Sequence, residues 1–242
     1  MTNSPELDRR AAEALGTARF QIDRLAEAAR PGENEAVAIR ADNARRWDEA
    51  RFDRMIEVCS AAHMATENAI KAFTAAVVRQ LPKHDHRIEV LLAPLPIPAV
   101  AHFRKLILPL EPEDLNPWRT AATYVYEEES LSILAQITPN YAADIYSVAL
   151  ASCEHAASEV LSIQSSDSRL MQAARRLQES VRQAHEARYV QLLRSEPPFA
   201  ESTYTARDME AHPEAWRQPL MPSRRADANP RESRRSRGSG AC

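Results

Sequence analysis

The chain has 242 residues, enough for one domain with tails or for two small domains, and long enough to bury a real core. Ala, Arg, Glu and Leu dominate, with only 4 Gly and few β-branched runs, so helix is favoured and little sheet is expected. A formal charge of -3 excludes a uniformly basic nucleic-acid binder, although basic groups can still gather locally.

Residues 6–29, "ELDRRAAEALGTARFQIDRLAEAA", set Leu7, Ala11, Leu15, Ala18, Ile22 and Leu25 on one side with charges elsewhere, which is helical spacing. "RPGENE" breaks the pattern. From about Ala36 to Gln80 runs the longest helical signal, and Phe52, Ile56, Cys59, His63, Thr66, Ile70, Phe73 and Val77 recur in it at steps of four and three, a buried seam. Pro82 is expected to stop it, because proline lacks the N–H and clashes with the preceding turn. "HDHRIEVLLAPLP" predicts a short helix closed by prolines, and "PAVAHFRKLILP" another.

Asn116 and Pro117 supply an N-cap and a first-turn proline for a helix through "NPWRTAATYVYEEE". Thr138 and Pro139 repeat that signal for a helix to about Ile163, with Tyr141, Ile145, Val148, Ser152, Ala156 and Val160 on one face. After "QSSDS" a last long helix is expected over 168–194, with Leu170, Ala174, Leu177, Val181 and Leu192 on one side. Beyond residue 196 the prolines multiply and the apolar spacing vanishes; the end, "RRADANPRESRRSRGSGAC", has too little apolar surface to offset the entropy of ordering. The expected organisation is a helical bundle over 1–196 and a Pro/Arg/Ser-rich, mostly disordered tail over 197–242.

No apolar run approaches the roughly 20 residues of a membrane helix, and "MTNSPELDRRAAEAL" lacks the layout of a signal peptide, so a cytoplasmic protein with no membrane partner is expected. Cys59, Cys153 and Cys242 are odd in number and far apart, which fits a reducing compartment. His84 and His86 flank Asp85 in "KHDHR", but no further ligand lies at metal spacing, and the apolar seam is core, so neither metal nor cofactor is expected.

"AAHMATENAIKAF" (61–73) followed by "LPKHDHRIEVLLAPLP" (81–96) resembles the HEPN family, the helical nucleotide-binding domain shared by higher eukaryotes and prokaryotes. Its members show a small-residue helix with an acidic residue and a lysine four apart, then a loop histidine before a short Leu-rich helix. Glu67, Lys71 and His86 take those places, and the likeness covers roughly residues 6–165. It implies an all-α, HEPN-like antiparallel bundle with an extra C-terminal helix. Nuclease members carry an Arg, four to six residues, a His, and often a Tyr two further on. Here "RTAATYVY" offers Arg119, Tyr124 at the His position, and Tyr126.

That departure bears on chemistry. Cleavage of RNA through its 2′-hydroxyl needs a base that takes a proton near neutral pH, and a tyrosine with a pKa of about 10 is a poor one. Arg119 can still grip a phosphate and Tyr124 stack on a base. The resemblance therefore implies a module that binds RNA or nucleotide, catalytically degenerate, with Arg119, Tyr124, Tyr126, Lys71 and His86 as ligand-binding candidates. It also implies a homodimer, a toxin–antitoxin or antiviral-defence setting, and a nucleotidyltransferase-type antitoxin partner. Two other readings stay open: an active metal-independent endoribonuclease in which His86, His102 or His155 replaces the missing histidine, and a structural helical adaptor. In the last, Arg119 pairs with the acidic run Glu127 to Glu129, the tyrosines pack, and Glu67 with Lys71 is an intrahelical ion pair.

Overall fold

The structure, a computed structural model, describes residues 4–30, 32–40, 44–108, 110, 115, 137–163 and 165–187. Among these residues every regular element is a helix: α1 (Ser4–Ala28), α2 (Glu33–Arg40), α3 (Ala44–Ala76), α4 (Ile88–Leu92), α5 (Ile97–Ile107), α6 (Pro139–Ser162) and α7 (Ser168–Glu186). None of them is long and apolar enough to cross a membrane.

The apolar faces read from the sequence become the core. Leu7, Ala11, Leu15, Ala18, Ile22 and Leu25 of α1 are all buried, as are Cys59, His63, Thr66, Ile70 and Phe73 of α3, while Phe52, Ile56 and Val77 pack partly buried against them. Each fully buried Leu or Ile contributes about 1.5–3 kcal/mol. Thr66 is satisfied locally: its hydroxyl donates to the Ala62 carbonyl at 3.0 Å, one turn back.

Four long helices form a ring in which α1 packs on α3, α3 on α6, α6 on α7 and α7 on α1. Helix α1 is antiparallel to α3. Asp8, near the start of α1, meets Arg79 just past α3 at 2.5 Å, and Arg54, in the first third of α3, donates to the carbonyl of Ala29 just past α1 at 2.9 Å. Helices α6 and α7 are also antiparallel, tied by the buried Tyr146 hydroxyl donating to the Ala184 carbonyl at 3.2 Å. The Cys153 thiol of α6 reaches the Ala65 carbonyl of α3 at 3.6 Å, and Ala61, Ala65, Ala149 and Ala157 are buried in the core. Cys59 and Cys153 are free, and burial pushes both thiols far above their usual range.

Helix boundaries differ from expectation in instructive places. The single signal over 36–80 corresponds to two helices, α2 and α3, and α3 ends at Ala76 well before Pro82. Arg79 stands at φ 60°, a left-handed conformation that a right-handed helix cannot continue through. Thr138 caps α6 as read, accepting from the N–H of Tyr141, and at the start of α7 Asp167 accepts from those of Arg169 and Leu170. Helix α7 is described to Glu186, so Leu192 and the rest of 188–194 lie outside the described residues, as does the tail expected over 197–242.

Candidate functional site

Glu67 and Lys71 lie one turn apart on α3, and the Lys71 ammonium donates to Glu67 Oε1 at 2.6 Å. The left-handed turn at Arg79 sends the chain back over the helix, and the loop through residue 87 returns His86 to the same oxygen, with Nδ1 at 3.0 Å. Asp85 shapes that approach. Its carboxylate accepts from the backbone N–H groups of His86 at 2.7 Å and Arg87 at 2.9 Å, and from the Arg87 guanidinium. These bonds, led by the Arg87 side chain, hold the Asp85 carboxyl well below the usual carboxylate range.

Burial grades across the cluster. The Glu67 side chain is 3% exposed, Lys71 17% and His86 44%, so an anion at the bottom carries two nitrogen groups up to the surface. The second Glu67 oxygen, Oε2, is buried and has no hydrogen-bond partner. The contact at Nδ1 leaves His86 Nε2 available for a second partner. Lys71 keeps two ammonium protons for a further acceptor. The Glu67–His86 contact also has the form in which a carboxylate orients an imidazole base.

Of the residues singled out in the sequence, the structure joins Glu67, Lys71 and His86. Arg119, Tyr124 and Tyr126 lie outside the described residues, together with Glu127 to Glu129. His102 and His155 meet each other instead of this cluster: their ring centroids are 4.0 Å apart, with His155 also 5.5 Å from Phe73 and 5.1 Å from Phe103. Burial, and then the neighbouring His102, lower the His155 pKa against a weaker pull from Glu159. His63 is a fully buried core residue. Among the described residues no group of three or more His, Cys, Asp or Glu side chains stands in a metal-holding arrangement.

A polar assembly that the sequence reading missed lies where α1, α2 and α3 meet. Arg54 pairs with Glu35 at 3.0 Å, and Glu35 Oε2 accepts from the N–H of Gly32 at 2.9 Å. A cavity of about 570 Å³ opens beside them, lined also by Asp53 and Glu57. Asp53 is pushed up to about 6, first by the protein crowding its carboxyl and then by Glu57 and Glu49 one turn to either side. The only sequence signal was the density of charge at i, i+3 and i+4 along 46–57, which reads equally well as a solvated face.

No protein-family model matches this chain, and neither a curated protein nor a solved structure is significantly similar to it.

Proposed function

We propose that this protein is a HEPN-like module that binds RNA or nucleotide without cleaving it. The observation that carries the reading is the convergence of Glu67, Lys71 and His86 on one carboxylate oxygen, at 2.6 and 3.0 Å. These are the three positions on which the resemblance of 61–96 rests, and they come from segments 19 residues apart in sequence. The Lys71 ammonium receives a phosphate as a donor beside the His86 ring, and Arg119 with Tyr124 and Tyr126 supplies the second half of the grip. A homodimer, with a nucleotidyltransferase-type partner in a toxin–antitoxin or defence setting, completes the proposal. The test is an RNA-binding titration at two ionic strengths on wild type, Arg119→Ala and Lys71→Ala, with light scattering for the assembly state. Binding that weakens in both variants and with salt supports the proposal. A monomer whose weak binding ignores both substitutions puts the adaptor reading in front.

One observation favours catalysis as a second reading. With the Glu67 carboxylate at Nδ1, His86 keeps Nε2 for a second partner, the arrangement in which a carboxylate orients an imidazole base, here in place of the histidine that Tyr124 replaces. Metal-independent cleavage of single-stranded RNA by wild type, lost in His86→Ala, selects the endoribonuclease. Intact RNA with wild type, and cleavage only after Tyr124→His, selects the degenerate binding module.

A further inference from the structure

The start of α7 runs alongside the start of α1, and between them lies a groove of about 600 Å³. Its walls follow from helical spacing. On α1, Arg9, Ala12, Gly16 and Arg19 recur at steps of three and four; on α7, Arg169, Ala173 and Arg176 do the same. Small residues thus line the middle of each wall and guanidinium groups stand at the ends. Four arginines face the groove against two carboxylates, Glu13 and Asp167. Both carboxylates are engaged, Glu13 with Arg9 at 2.5 Å and Asp167 with the first N–H groups of α7.

Three of the arginines have no partner among the described residues: there, Arg19, Arg169 and Arg176 make no side-chain hydrogen bond or ion pair. Other arginines of these helices are committed, Arg9 and Arg10 to Glu6 and Arg182 to Glu179 and Glu186, while Arg24 and Arg175, outside the groove, also have no partner among the described residues. Like charges collected around one groove repel one another unless an anion enters, and the guanidinium fork matches tetrahedral phosphate oxygens in paired hydrogen bonds. Gly16 keeps the groove open. A Cβ built there meets no atom within 4 Å, so the space above it belongs to the groove and not to packing.

We infer that the α1–α7 groove is a binding site for a chain of phosphate groups, held by Arg19, Arg169 and Arg176 over the small floor at Gly16. The site stands apart from the Glu67 cluster and shares no residue with it. Two sources carry this chemistry, the backbone of single-stranded RNA and a free polyphosphate chain such as that of a nucleoside triphosphate.

The experiment titrates the full chain with sodium tripolyphosphate and, separately, with a ten-residue oligouridine, by calorimetry at two salt concentrations. The variants are Arg169→Glu/Arg176→Glu, Gly16→Glu, and Arg175→Glu as a control on an exposed neighbour outside the groove. Gly16→Glu is sterically free and replaces a poor helix former, so its melting temperature stays at or above that of wild type. The expected result is saturable binding of at least one probe, weakened about tenfold or more by either groove variant and much less by the control. Groove dependence for oligouridine assigns the site to RNA backbone, whereas groove dependence for tripolyphosphate alone assigns it to free phosphate chains and counts against the RNA reading. No binding of either probe, or equal losses in groove and control variants, overturns the site. Oligouridine binding that falls in Lys71→Ala but not in the groove variants overturns the site and leaves the proposed function standing.

Discussion

Glu35 and Glu67 are both nearly buried carboxylates paired with a cation from α3, and they have opposite surroundings. Around Glu35 the charged partner faces inward: Arg54 is itself 9% exposed, and its guanidinium is also engaged by the Ala29 carbonyl. Around Glu67 the partners climb outward, from Lys71 to the half-open ring of His86. The same residue type braces three helices in one place and carries two nitrogen groups toward the surface in the other. Burial of the carboxylate does not separate these roles; the exposure of what it holds does.

Arg54→Ala is expected to give the largest effect on stability. It strands the Glu35 carboxylate in the interior and frees the Ala29 carbonyl, a loss of about 3–5 kcal/mol, read as a lowered midpoint in urea. A loss below about 1 kcal/mol would mean that the pair is open to water and the contrast with Glu67 is false.

Glu67→Ala is expected to destabilise by a smaller amount, about 2 kcal/mol, because Lys71 and His86 can turn to solvent while the carboxylate site is left as a small void. Its effect on RNA or nucleotide affinity should exceed its effect on folding. Equal fractional effects of Glu67→Ala and Arg54→Ala on binding would reduce both clusters to bracing.

His86→Ala sharpens the contrast from the exposed side. With a ring 44% open to solvent, its removal should shift stability by less than about 1 kcal/mol while ligand affinity falls. A melting temperature many degrees lower would place His86 among the structural residues.

The smallest effect concerns Asp53, beside the Arg54–Glu35 pair. Its folded pKa of about 6 lies above that of an unfolded aspartate, so folding disfavours its charged form. This penalty is missing in acid, where both states are protonated, and grows as pH rises between about 4 and 6. Part of the residue opens into the cavity beside the Arg54–Glu35 pair, so solvent screening holds the effect within about 1 kcal/mol. Asp53→Asn should therefore raise stability at pH 7 and do so much less at pH 4, a difference visible in melts at the two pH values. A stabilisation of the same size at both would exclude titration of Asp53 as its source.

Much of the helical framework was legible because its cause is local. Leu7 to Leu25 on α1, Cys59 to Phe73 on α3 and Leu170 to Val181 on α7 recur at the helical period, and each of these faces is buried. Thr138 and Asp167 cap their helices through bonds to residues two or three positions ahead, within reach of any reading along the chain. The end of α3 was misplaced because Pro82 is a visible stop signal, whereas the left-handed turn at Arg79 involves a residue type with no preference for it.

The sequence by itself determined the helical class, the faces that would be buried, and the Glu67–Lys71 pair, whose four-residue spacing places both side chains on one helical face. Only the tertiary structure decided that His86 shares the Glu67 oxygen, that His102 and His155 meet each other, that Arg54 reaches back to Glu35 and Ala29, and that arginines from α1 and α7 face one groove. Those juxtapositions join segments 19 to more than 150 residues apart. A periodicity records which side of a helix is turned inward, but it carries no information about which other helix, at what register, will be packed against it.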